Sequence, residues 1–152
     1  MCSKKIILEK IIGDESQIKI LYQLLKNREH NISNVSLTDF NSHIKFVKKH
    51  PYRAWYLIKL NGKYIGSTYI MESNCIGISL ISDVLNFPKI VELVSRKHKP
   101  LKEIKSVRPP GFYINIAPNN KKIEMQLKKL GAKKIQLTYS LPSIKILSSN
   151  NR

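Results

Sequence analysis

Acidic residues are scarce in this sequence: ten Asp and Glu stand against 27 Lys and Arg, a formal net charge of +17 over 152 residues. Such an imbalance ordinarily signals a polyanionic partner, because lysines that neutralise phosphates dominate nucleic-acid affinity. Arginine is scarce too, five against 22 lysines, and arginine is the residue that reads base edges in bidentate fashion. The lysines fall in scattered pairs at 4–5, 48–49, 121–122, 128–129 and 133–134, with no RGG tract, zinc finger or helix-turn-helix signature. Abundant Lys, Ile and Asn together are what A/T-rich codon usage produces. The charge is therefore read as chiefly compositional. Weak, salt-sensitive affinity for nucleic acid follows from it, as does attraction for anionic small ligands.

Cysteine is almost absent. Cys2 and Cys75 make neither a disulfide framework nor a metal knuckle, since no Cys or His sits at ligand spacing from either. No metal is expected, and a reducing compartment suits the chain. Long apolar runs are missing as well: the first, Ile6-Ile7-Leu8, ends at Glu9-Lys10, too short for a signal sequence, and nothing approaches the roughly 18 apolar residues of a membrane span. The expectation is a cytoplasmic protein without a membrane partner. With no repeat or linker, residues 1–142 read as one domain and 143–152 as a frayed tail.

Periodicity supplies the elements. Residues 5–12 read as a strand, closed by Gly13-Asp14. Asp14 or Ser16 is placed to cap a helix over 17–26, where Ile18, Leu21, Tyr22 and Leu25 form one apolar face. Ser36 or Thr38 is placed to cap a second helix, with Phe40, Ile44 and Val47 as its stripe, ending before Pro51. Residues 53–60 alternate, Asn61-Gly62 is a strong hairpin signal, and 63–71 return antiparallel. A strand over 75–81 and a helix from Pro88 to about Lys97 follow. Beyond a basic, proline-bounded loop at 99–110 comes the most distinctive stretch. Residues 112–117 are a short aromatic and β-branched run, Pro118-Asn119-Asn120 turns and caps a helix, and Gly131 stops it before a final strand. The expected order is β-α-α-β-β-β-α-β-α-β. The helix between the strands at 75–81 and 112–117 makes them parallel neighbours.

Asn120, with Lys129-Leu130-Gly131 eleven residues on, resembles the C-terminal segment of the GNAT acyltransferases, N-x-x-A-I-x-L-Y-x-K-x-G-F. The run from His50 to Lys59, then Tyr64 to Ile70 and Ile76-Gly77-Ile78, resembles the GNAT branch that acylates amino sugars. The resemblance implies an α/β fold with a mixed central sheet, splayed strands and helices on both faces. It implies transfer of an acyl group from acetyl-CoA or another acyl-CoA to an amine, possibly an amino sugar. It also implies that amides near Ile78, Ser79 and Leu80 face the pantetheine arm, and that Asn120 contacts CoA.

The sequence departs from that family in one loop. Relatives wrap the CoA diphosphate in a glycine loop, Q/R-x-x-G-x-G/A, whereas Ser82-Asp83-Val84-Leu85-Asn86-Phe87-Pro88 has no glycine and an acidic side chain. This degenerate loop is expected to weaken acyl-CoA binding, with Lys89 and the 99–110 loop compensating only as point charges. Leu127 stands where relatives carry Tyr, and Ile123-Glu124 where they carry Ala-Ile. Two other functional classes follow from these observations: a non-catalytic GNAT-fold binding or assembly module, and a basic nucleic-acid-associated protein.

Several side chains have both a chemical and a structural reading. Glu72, ending a strand, is a candidate general base or an exposed turn carboxylate; Tyr139 is a second candidate catalytic group. His50 and His43, on the helix before Pro51, are each a candidate base or substrate contact, or a solvated helix-end histidine. Trp55 and Tyr56 line a sugar pocket or pack, alternation placing one of them in the core. Tyr113 and Asn115 alternate on their strand, so one faces the cleft. Asp83 is a cation ligand or a helix cap.

Overall fold

The computed structural model describes residues 3–29 and 37–143. Among these the order is β1 (Ile6–Lys10), α1 (Glu15–Lys26), α2 (Phe40–Lys48), β2 (Ala54–Leu60), β3 (Lys63–Ile70), β4 (Cys75–Leu80), a 3-10 turn (Val84–Asn86), α3 (Phe87–Lys97), β5 (Tyr113–Ile114) and α4 (Lys121–Lys129). The strands form one sheet in the order β1-β2-β3-β4-β5. The first three junctions are antiparallel, and β4–β5 is parallel because α3 carries the chain back across the sheet.

Local chemistry explains the joints. Asn61 and Gly62 both take positive φ, 50° and 83°, as a two-residue hairpin turn with right-handed twist requires. The register then slips: Ile58 faces Gly66 but Lys59 faces Tyr64, so Ile65 is a bulged extra residue. Asp14 caps α1 by accepting from the Gln17 N–H at 2.8 Å, and Asn120 caps α4 by accepting from the Ile123 N–H at 3.3 Å. Gly131, at φ 79°, ends α4, with its N–H donating to Lys128 and that of Ala132 to Leu127.

Helices cover both faces of the sheet. Trp55 and Leu57 join Ile18, Leu21 and Leu24 of α1 and Val47 of α2 on one face. On the other, Ile58, Leu60, Ile65, Ile70 and Ile76 pack with Ile90 and Val94 of α3. Each fully buried aliphatic side chain contributes about 1.5–3 kcal/mol.

Several expectations need correction. Asp39 caps α2, accepting from the Ser42 N–H at 3.0 Å, rather than Thr38; Ser36 lies outside the described residues. The deepest α1 side chains are Gln17, Ile18, Leu21 and Leu24, because Gln17 is drawn inward: its amide donates to Glu9 and to the Lys10 carbonyl and accepts from the Ile12 N–H. His43 is buried, with Nε2 3.0 Å from the Ile18 carbonyl, so it is no solvated helix-end residue. Trp55 and Tyr56 are both buried, since a sheet covered on both faces has no exposed side at β2. Asp83 sits in the left-handed region at φ 57° with no side-chain cap bond, and accepts from the Ser82 hydroxyl. A short acidic side chain tolerates that conformation, which a bulkier one would not. The final strand does not form: residues 131–143 carry no strand pairing and are exposed throughout, and β5 is two residues rather than six.

Candidate active site

The site begins where the sheet opens. β4 and β5 pair only at Cys75–Tyr113 and Ile76–Ile114. Beyond that rung β4 continues to Leu80 while the chain after Ile114 turns towards α4, and the two part company. Strand alternation fixes which backbone groups are left facing the gap. Met71 N–H donates to the Cys75 carbonyl and Ile81 N–H to Ile65, so odd-numbered β4 residues bond to β3. Asn74 faces β5, its carbonyl accepting from the Tyr113 N–H. Ile78 and Leu80 therefore point their backbone N–H and C=O groups towards the side that β5 has vacated, and Ser79 points its own to β3.

A cavity of about 650 Å³ lies below this gap. Gly77, Ile78, Ser79 and Leu80 line one side and Asn115, Ile116 and Ala117 the other; α1 and α2 close the far end. The sheet face that forms its floor is made of small residues, Ser67, Gly77 and Ser79, beside large aromatic ones. A Cβ added at Gly77 would fall inside the Tyr69 ring, so only glycine lets that ring lie across β4. Tyr69 stacks on Tyr52 with centroids 4.1 Å apart and planes 8° from parallel. Trp55 meets Tyr52 edge-on at 5.1 Å, with Phe46 and His50 against its other sides.

The electrostatics follow from this burial. Desolvation pushes the Tyr52 phenol up to about 12, and it raises Tyr69 as well. Both remain hydroxyl donors at neutral pH. Burial lowers His50, whose Nδ1 accepts from the Tyr52 N–H at 3.2 Å. Arg28, which also lines the cavity, is lowered by burial. Trp55 is 8% exposed and its indole N–H has no acceptor among the described residues. A buried unpaired donor costs about 1–3 kcal/mol, and a ligand oxygen in the cavity would satisfy it.

Of the residues singled out from sequence, His43, Trp55, Ile78, Ser79, Leu80, Asn115 and Asn120 meet in the cavity wall. Five others lie outside that wall. His50 stands behind Trp55. Tyr56 is on the opposite sheet face, hydrogen-bonded to His98 at 2.6 Å. Tyr113 donates to the Ser73 hydroxyl at 3.1 Å. Glu72 is an exposed turn residue whose carbonyl accepts from Arg108, and Tyr139 is 79% exposed. The sequence reading missed Tyr52, Tyr69, Phe46 and Arg28. Gly66 within a strand was the available sign of the bulge that brings Tyr69 opposite Trp55.

No protein-family model and no curated protein matches the sequence. Solved structures do share its fold. A domain from Methanocaldococcus jannaschii DSM 2661 superposes with a TM-score of 0.62 at 19% identity, covering 88% of this chain and 92% of that one. An aminoglycoside N-acetyltransferase, AAC(6')-Iy, in complex with CoA superposes with a TM-score of 0.58 at 9% identity, covering 94% and 97%. A possible acetyltransferase from Clostridium difficile 630 gives 0.54 at 12% identity, covering 93% and 98%. The five-stranded mixed sheet with its four helices is thus a GNAT-like α/β fold.

Proposed function

We propose that this chain is an N-acyltransferase, moving an acyl group from an acyl-CoA thioester to the amine of a small molecule, with amino sugars among its acceptors. The observation that carries the reading is the parting of β4 from β5 after the Ile76–Ile114 rung. Two backbone positions, Ile78 and Leu80, offer unpaired groups to an extended ligand there. A pantetheine arm is an amide chain and fits as a surrogate strand. When bound, CoA supplies the activated acyl group. Ile78 and Leu80 would hold the arm and aim an N–H at developing negative charge, a contribution that needs no particular side chain. Asn120 and the α4 N-terminus stand at the same gap.

The acceptor would occupy the aromatic half of the cavity. The indole N–H of Trp55 would orient it, and Glu29, the one carboxylate among the described wall residues, would take the amine proton. Neighbours of this fold named as acetyltransferases, one of them for aminoglycosides, support the reaction class. The Ser82–Pro88 loop, with Asp83 at its start, argues for a modest CoA affinity. One left-handed residue there cannot do what successive glycines do.

Thiol release from acetyl-CoA, measured over a panel of aminoglycosides and simple diamines, tests the proposal. Release that requires both enzyme and amine, and that falls at least tenfold in Glu29→Gln, supports it. Release that no amine stimulates would count against it.

A further inference from the structure

The aromatic end of the cavity is rich in hydrogen-bond donors. Arg28, the residue after the Asn27 cap of α1, is half-buried in its wall. Burial works against the guanidinium charge, and that charge in turn holds the Tyr52 and Tyr69 phenols below the values burial alone would give them, so the three groups lie within electrostatic reach of one another. Both phenols still keep their protons at neutral pH. The Trp55 indole N–H, on a ring that meets Tyr52 edge-on, has no acceptor among the described residues. A guanidinium, two hydroxyls and an indole N–H thus border one desolvated space.

Packing fixes these donors in place. The Tyr52 and Tyr69 rings stack within 8° of parallel, and Tyr69 lies across Gly77, where any larger side chain would displace it. Their hydroxyls are therefore aimed before a ligand arrives, which lowers the ordering cost of binding. The charge balance of the wall has the same sign. Among its described residues the charged side chains are Arg28, Lys122 and Glu29, and Glu29 is exposed where Arg28 is half-buried. A polyamine would meet two cations there, and a ligand with no acceptor at this end would leave the Trp55 donor unmet. A ligand oxyanion answers both conditions, and the planar fork of a guanidinium matches two of its oxygens at once.

Building on the acyl-transfer reading above, we propose that the acceptor is an amine that also carries an oxyanion, a carboxylate or a phosphate, and that Arg28, the Trp55 N–H and the Tyr52 and Tyr69 hydroxyls bind that oxyanion. Arg28 and Glu29 are consecutive and both line the cavity. The cation that takes the oxyanion and the carboxylate assigned to the amine proton are thus carried by neighbouring residues. That suits a molecule whose amine and oxyanion are a few bonds apart, such as an amino acid or a phosphorylated amino sugar. The oxyanion then sets the acceptor's orientation, and the amine end is left free to face the acyl group.

Trp55 is the one tryptophan of the chain, so its fluorescence reports what enters this end of the cavity without any acyl donor. Titrations at about 0.15 M salt, where charges more than about 8 Å away are largely screened, compare glucosamine with glucosamine 6-phosphate and cadaverine with lysine. The first pair reads phosphate and the second carboxylate. In at least one pair the member with the oxyanion should bind about tenfold tighter or more. Arg28→Gln should abolish that preference and leave the affinity for the other member unchanged, a selective loss that a general loosening of the fold would not produce. If Arg28→Gln does not fold, Tyr69→Phe decides: it keeps the stacked ring, removes a hydroxyl, and should cut the preference about threefold or more. Equal affinities within both pairs, or no binding of any of the four, would overturn the proposal. So would a preference that Arg28→Gln leaves in place, which would belong to the diffuse positive charge of the chain. Thiol release stimulated by glucosamine without any such preference would remove this inference and leave the transfer reading standing; a preference without thiol release from any amine would do the reverse.

Discussion

Asn74→Ala should be among the most destabilising single changes in this protein. Asn74 is wholly buried in the β3–β4 turn. Its amide donates to the carbonyls of Leu101 and Pro109, each at 2.8 Å, and its oxygen accepts from the Leu101 N–H at 2.7 Å. Three bonds thus tie the 99–110 loop to the sheet just before that loop delivers β5. At about 0.5–1.5 kcal/mol net for each bond, their loss costs about 1.5–4.5 kcal/mol. Asn74 also has φ 70°, where alanine adds about 1 kcal/mol that asparagine largely avoids. The total, about 2.5–5.5 kcal/mol, is a large share of the roughly 5–15 kcal/mol that holds a domain of this size. Urea melts followed by circular dichroism measure it. Asn74→Gly separates the two terms: it loses the bonds but keeps the backbone, and should be about 1 kcal/mol more stable than the alanine variant. A loss below about 1 kcal/mol in Asn74→Ala would refute the reasoning.

Gly77→Ala should force the Tyr69 ring off Tyr52, costing about 1–3 kcal/mol by overpacking, and Tyr69→Leu in the same background should recover part of it; additive losses would show that the ring does not depend on Gly77. Stability should fall as pH drops from about 7 to 5, with a distinct sign and window. His98 is lowered by burial and by Arg53 and Lys97, and His50 by burial, so the unfolded chain takes up protons first once pH falls below about 6.5, and the loss levels off only below the folded-state values. Thermal melts across that range check it, and a melting temperature that rises on acidification there would contradict it. Glu92 and Glu124, held low by their lysine partners, act only in the more acid range around and below the ordinary carboxylate value.

The strands, the helices and the hairpin were legible because their signals are local. Asn61-Gly62 needs no tertiary context to turn, and Asp14 and Asn120 cap helices wherever they begin. The floor of the cavity was less legible. A bulge-free hairpin closed at Leu60 and Lys63 would set Trp55 opposite Thr68. The extra residue at Ile65 sets it opposite Tyr69 instead, and that one slip brings two aromatic side chains onto the same face. The final strand misled for the opposite reason. Its alternation is real, but alternation records only a preference, and residues 131–143 pair with no strand among the described residues. His43 reads as polar and terminal, yet a carbonyl on α1 makes it a buried side chain; only the packing of α2 on α1 reveals that.

The central claim is that the gap between β4 and β5 receives an acyl-CoA. Isothermal titration of the chain with acetyl-CoA tests it most directly, paired with the same titration of an Ile78→Pro variant, which lacks one of the two N–H groups facing the gap. A saturable dissociation constant on the order of 0.1 mM, about −5.5 kcal/mol, with at least a tenfold loss in the variant and an unchanged circular dichroism spectrum, is the predicted result. Two outcomes would contradict the account. An absence of saturable heat at millimolar acetyl-CoA would remove the cofactor from the gap, and micromolar binding indifferent to Ile78→Pro would place it elsewhere.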